Sequence, residues 1–207
     1  MNDCNATLSN HEKNNKLKQI EREIFDLESS PLFNIREQNG YKPVFGDGNP
    51  DAKVMFIGEA PGAKEAKTGL PFVGRAGIFL NELLKSIGLE RSDVYITNIV
   101  KDRPPKNRDP RTDEIKVYAP FLQREIDIIQ PQVIATLGRF AMRFILVKYA
   151  LVQQKKTIGE LHGKVLNAKT GSGQIKILPL YHPAAVFYNR SLEEHLITDF
   201  MTIKKLI

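Results

Sequence analysis

Val54-Met55-Phe56-Ile57-Gly58-Glu59-Ala60-Pro61-Gly62 is an apolar run that breaks into a Gly/Pro turn holding a single carboxylate. A short apolar run closed by turn formers reads as a fully buried strand. After a polar stretch comes Pro71-Phe72-Val73-Gly74-Arg75, then a helical stripe of Ala76, Leu80, Leu83, Leu84 and Ile87 stopped by Gly88. A buried strand leading into a helix belongs to a parallel sheet, and ligands of open α/β sheets bind at the carboxyl ends of the strands. Glu59 is thus a charged residue at a position otherwise suited only to a turn.

The same alternation continues outward. Val94 to Val100 reads as a second strand and Ile115, Tyr118, Leu122, Ile126 and Ile129 as a third helix, with Asp109 as its cap and Pro110 at its first position. Val133 to Leu137 reads as a strand, and Gly138 opens a helix through Phe144 and Ile145. Ile175 to Leu180 is a further strand ending at Tyr181-His182-Pro183, and Ser191 with Glu194 has capping-box spacing before the last helix. Upstream, Leu17, Ile20, Ile24 and Leu27 recur at helical spacing. Residues 1–15 read as a mobile tail, 167–173 as a polar loop, and 16–207 as one domain. The expected architecture is a three-layer α/β/α sandwich around a mainly parallel four-stranded sheet.

Composition sets the class. The chain has 207 residues, 42% hydrophobic and 26% charged, as in soluble globular proteins. Its net charge of +6 and pI near 9.3 favour a polyanionic partner. One cysteine, Cys4, excludes an intrachain disulfide and a cysteine-rich metal site. No leader-like segment and no membrane-spanning run is present, so the expectation is a cytoplasmic monomer without a membrane partner.

Glu59, Phe72, Asn98 and His182 all stand at or just after predicted strand ends, so they can share one cleft. Together they offer a carboxylate, an aromatic face, a carboxamide and an imidazole, a set suited to a reaction on a flat polar ring. Singly, each also has a structural reading: a tight turn, a core phenyl, a strand cap and a turn histidine. Lys101, Arg103, Lys106, Arg108 and Arg111 form a basic, proline-rich loop, either a solvated face or a phosphate contact. Val186, Phe187 and Tyr188 either wedge into stacked bases or pack on the last helix.

Five motifs in order decide among these readings: Gly58-Glu59-Ala60-Pro61-Gly62, Pro71-Phe72-Val73-Gly74-Arg75-Ala76-Gly77, Thr97-Asn98-Ile99-Val100-Lys101, Arg103-Pro104-Pro105 with Asn107-Arg108, and His182-Pro183-Ala184. Over roughly residues 43–200 the chain resembles the family-4 uracil-DNA glycosylases. The resemblance implies an enzyme that removes uracil from DNA and leaves an abasic site. By motif position it implies that Glu59 activates water, that Ala60 lines the pocket through its backbone and that Phe72 stacks on uracil. Asn98 would read the base edge and His182 steady the departing anion. Family members typically carry an iron–sulfur cluster on four cysteines; here Leu27, Ser30, Asp102 and Tyr118 stand at those places. No cluster is therefore expected, with Leu27 and Tyr118 filling its place by apolar packing. Ala66 also replaces an acid common in the first motif. A relative that binds DNA without turnover is the alternative. A phosphate-binding loop is disfavoured, because no Lys-Ser or Lys-Thr follows directly on Gly62 as in a P-loop.

Overall fold

The computed structural model describes residues 8–151, 156–170 and 173–207. The chain begins with α1 (Asn10–Phe25) and the short α2 (Phe33–Gln38), then β1 (Asp47–Gly48) and β2 (Val54–Gly58). There follow α3 (Ala63–Thr68), α4 (Arg75–Ser86), β3 (Tyr95–Asn98), α5 (Thr112–Ile129), β4 (Val133–Leu137) and α6 (Arg139–Lys148). The last elements are α7 (Ile158–Leu161), β5 (Leu166–Thr170), β6 (Gly173–Leu180) and α8 (Leu192–Leu206).

The strands form one sheet in the order β1-β3-β2-β4-β6-β5. Its centre, β3-β2-β4-β6, is the parallel four-stranded sheet expected, with an antiparallel strand added at each edge. Successive side chains of a strand point to opposite faces, and both faces are covered. Met55, Ile57, Tyr95, Ile134 and Ile177 pack into a core with residues of α1, α5 and α6. Their neighbours Val54, Phe56, Ile96, Val133 and Leu178 pack into another with residues of α4 and α8. Double burial is why these strands read as unbroken apolar runs.

Several local expectations are corrected. Helix α1 starts at Asn10, capped by Ser9 and Glu12, so residues 10–15 are its first turns rather than tail. Residues 1–7, including Cys4, lie outside the described residues. Residues 166–170 are a strand, not a loop. β5 is an edge with only Ala168 buried, so it carries no apolar signature. Helix α5 starts at Thr112, not Pro110: the Glu114 carboxylate accepts from the Arg111 backbone N–H at 2.8 Å. Asp109 instead pairs with Arg139 at 2.9 Å. The Ser191 hydroxyl donates to Asn189 Oδ1 at 2.8 Å and makes no helix cap.

Candidate active site

β2 and β4 lie side by side, and the crossovers that follow them leave on opposite sides of the sheet. A crevice opens beyond such a point. Here it is a cavity of about 390 Å³, within the ~300–1,000 Å³ usual for small-molecule sites. Glu59, Ala60, Phe72, Asn98 and His182 all line it, together with Glu65, Asn107, Arg108 and Asp109. A larger hollow of about 470 Å³, bordered by Gln123, Asp127, Gln130 and Tyr149, gathers no comparable set.

Strand ends set the positions. Gly58 and Asn98 are the last register pair of β2 and β3. The Ile99 and Val100 N–H groups continue the ladder by donating to the carbonyls of Gly58 and Glu59 at 3.0 and 3.1 Å. The acid and the carboxamide are therefore held side by side by main chain. A Cβ on Gly58 would come within 2.3 Å of Asn98 Oδ1 and 2.7 Å of Phe72 Cζ, so only glycine lets both side chains close over the strand end. Asn98 is buried, and its side chain makes no hydrogen bond to any described residue. Its donor and acceptor are left for a ligand.

Phe72 sits on a strained turn. Its φ of 51° is in the left-handed region, which costs a non-glycine residue about 1–3 kcal/mol. Three contacts hold it there. Arg91 donates to the carbonyls of Pro71 and Phe72. Glu65 Oε1 accepts from the N–H groups of Val73 and Gly74 at 3.0 and 2.8 Å. Gly77 lets α4 close on the turn, since a Cβ there would lie 1.7 Å from the Phe72 carbonyl oxygen. Sequence reasoning missed Glu65 and Arg91. Both act on backbone groups that only the folded turn brings to them.

The electrostatics divide the two titrating groups. Burial raises the Glu59 carboxyl to about 7, Asp109 adds to the rise and Arg139 opposes it. Burial lowers His182 to about 4, against a smaller opposing effect of Glu65. The ring is thus neutral at pH 7. Its Nδ1 accepts the Ala184 N–H at 3.1 Å, so the ring proton is on Nε2. His182 stands 5.7 Å from Phe72, ring centre to ring centre, as a neutral donor. If Glu59 must be ionised, kcat/KM rises about tenfold per pH unit below about 7 and levels off above it. His182 adds no limb between about pH 5 and 8. Single-turnover rates measured across that range check both statements.

The basic loop is less uniform than its composition suggests. Lys101 is fully buried and cannot reach a phosphate: its ammonium bonds Glu125 Oε2 and Thr97 Oγ1, both at 2.6 Å. This corrects both readings of Lys101, as a solvated charge and as a phosphate contact. Arg103 bonds Tyr41 and Asn107, and Arg108 and Arg111 pair with Glu114. Lys106 is exposed and makes no ion pair among the described residues. Phe187 is exposed, with the Arg75 guanidinium 4.3 Å over its ring. Tyr188 beside it is 92% exposed.

Ser30, Asp102 and Tyr118 meet in the interior through hydrogen bonds, while the Tyr118 ring belongs to the apolar core. Tyr118 donates to Asp102 Oδ2 at 2.6 Å, and the Ser30 and Tyr118 hydroxyls lie 2.6 Å apart. Arg36 reaches the same Asp102 oxygen at 3.4 Å and donates to the carbonyls of Ile24 and Phe25. Leu27 is half-buried against the neighbouring core. Tyr118 and Leu27 thus pack in the apolar core as expected, and the Tyr118 hydroxyl adds a hydrogen-bonded network that the sequence did not suggest. These residues supply no thiolate and include a guanidinium, so they do not suit an iron–sulfur cluster.

Comparison with known proteins agrees with this geometry. The family model for the uracil DNA glycosylase superfamily matches residues 45–201. A type-4 uracil-DNA glycosylase of Sulfurisphaera tokodaii is 44% identical, over 92% of this chain and 84% of its own length. One from Archaeoglobus fulgidus is 43% identical over 92% of both chains, and one from Thermotoga maritima 43% over 72% of this chain and 74% of its own. A fold, a cavity and a sequence match that coincide over the same residues leave one assignment: the chain belongs to the uracil DNA glycosylase superfamily.

Proposed function

We propose that the protein is a DNA repair glycosylase that hydrolyses the N-glycosidic bond of deoxyuridine in DNA, frees uracil and leaves an abasic site. The observation that carries this reading is the meeting of Glu59, Phe72, Asn98 and His182 around one cavity. A base inside a duplex is out of reach, so it is flipped out at a cost of a few kcal/mol. Phe72 stacks on the extruded ring, with Ala60 beside it. The Asn98 carboxamide accepts from the ring N3–H and donates to O4, whereas cytosine presents the reverse pattern. As the C1′–N1 bond breaks, its electron pair leaves with uracil and positive charge grows on the sugar. The His182 Nε2–H donates to the anionic O2, and the Glu59 carboxylate faces the sugar cation. Water adds to C1′, and its proton passes to Glu59.

On the surface we assign phosphate contact to Arg103, Lys106, Arg108 and Arg111, and the stack-filling role to Phe187. Lys106 and the exposed Phe187 have most freedom for this. We also propose that the enzyme works without a metal or cluster, as a monomer in the cytoplasm. The polar network at Ser30, Asp102 and Tyr118 supports the first point. The single cysteine suits a reducing compartment.

The assay is a uracil-containing oligonucleotide followed by alkaline cleavage of abasic sites. Strand scission with enzyme in excess is expected. DNA binding without product would make the chain a binding-only relative instead. The purified protein is expected to be colourless and free of iron, and stoichiometric iron by metal analysis would refute the cluster-free reading.

A further inference from the structure

Lys101 has no access to solvent, so its charge has another use. Its side chain folds back onto the end of β3, three residues before it. The ammonium donates to the Asn98 backbone carbonyl at 2.9 Å and to Thr97 Oγ1 at 2.6 Å. The Glu125 carboxylate, on α5, accepts from the same ammonium at 2.6 Å and from Thr97 Oγ1 at 3.1 Å. The Asn98 carbonyl sits where β3 ends, and a buried carbonyl without a donor costs about 1–3 kcal/mol. Its neighbours Ile99 and Val100 are the residues whose N–H groups hold the β2 turn at Gly58 and Glu59. The Lys101 carbonyl in turn accepts from Val44 N–H at 2.7 Å.

We propose that Lys101 is a positioning residue for excision: with Glu125 and Thr97 it fixes the end of β3 and so the placement of the Asn98 carboxamide against the base. This rests on the reading of Asn98 as the group that meets the base edge. It also separates Lys101 from its loop neighbours, the exposed Lys106 and the half-buried Arg103, which bonds Tyr41 and Asn107.

The test must separate positioning from folding. Lys101→Met alone strands the Glu125 carboxylate in the interior and threatens the fold. The informative variant is Lys101→Met with Glu125→Leu, because replacing a whole buried ion pair by apolar residues is often neutral in stability. Its expected single-turnover rate is about 100-fold below wild type, the scale of a 1 Å misplacement. Its affinity for uracil-containing DNA and the salt dependence of that affinity stay unchanged, because no phosphate contact is lost. A wild-type rate in the folded double variant overturns the proposal. A reduced salt slope restores Lys101 as a phosphate contact and overturns it equally.

Thr97→Val is the milder second variant and decides the matter if the double variant does not fold. A several-fold rate loss at unchanged melting temperature is expected, and an unchanged rate refutes the idea. Asn98→Ala and wild type run alongside. If wild type itself releases no uracil, the functional reading fails. The positioning claim is then read from the Asn98 side-chain NMR signals without DNA, which shift in Thr97→Val if it holds and stay put if it does not.

Discussion

Glu59→Gln is expected to lower the single-turnover rate of uracil release by about 10²–10³-fold while leaving the protein folded. The substitution keeps the shape of the side chain. The main-chain bond from Val100 N–H to the Glu59 carbonyl is untouched, so the strand end is not disturbed. On the proposed mechanism, what is lost is negative charge facing the sugar cation and the acceptor for the proton of water. Stability is expected to move the other way. Burial raises the Glu59 carboxyl to about 7. A group whose folded pKa lies above its unfolded value contributes stability below the unfolded pKa and loses it as pH rises through the folded one. The Glu59 carboxylate is therefore a burden above pH 7 that glutamine does not carry. The variant should melt no lower than wild type at alkaline pH. A dead enzyme of equal or higher stability is the signature of a group kept for chemistry. A variant with near-wild-type rates would remove Glu59 from the mechanism.

The second large effect is on stability. Arg36→Met is expected to cost about 3–5 kcal/mol, the scale of breaking a buried ion pair by removing one partner. Arg36 is 3% exposed and Asp102 1%. Arg36 serves Asp102 and the carbonyls of Ile24 and Phe25, and its guanidinium lies 4.8 Å over the ring of Phe33. Without it, Tyr118 is the one remaining side-chain donor to Asp102 among the described residues. In a chain of this size such a loss lowers Tm by roughly 6–20 °C. The sign with pH is fixed as well. Burial already raises the Asp102 carboxyl, and Arg36 is one of the groups holding it down. Removing Arg36 raises it further, so the deficit of the variant grows as pH rises and shrinks on acidification. Thermal melts at acidic and neutral pH check this. An equal deficit at both would mean that Arg36 acts through packing on Phe33 and the backbone carbonyls, not through the charge of Asp102.

This network also bears on the basic loop. Asp102 lies between Lys101, which ties down the end of β3, and Arg103, which leads into the loop at the cavity mouth. Two buried charged groups in succession anchor that loop from beneath, one to α5 through Glu125 and one to α2 through Arg36. In this chain oxygen and nitrogen side chains carry out that anchoring.

The sequence by itself determined the central sheet and singled out four groups that the fold brings to one cavity. β2, β3, β4 and β6 are buried on both faces, so their apolar runs stand out. Glu59, Asn98 and His182 sit where those runs stop, and strand ends of a parallel sheet meet at one edge. The edge strands β1 and β5 were illegible because one-sided or minimal burial leaves no apolar pattern. Tertiary structure alone decided the fate of the charges. Lys101 and Arg103 look alike in sequence, yet one is a buried peg and the other is a half-buried residue bonded to Tyr41 and Asn107. Tyr118 suggested apolar filling and does join the apolar core, but its hydrogen bond to the buried Asp102 left no trace in the sequence. The physical reason is the same throughout. Periodicity records which residues leave water, whereas the partner that makes a buried charge tolerable comes from a distant element and leaves no mark on the local sequence.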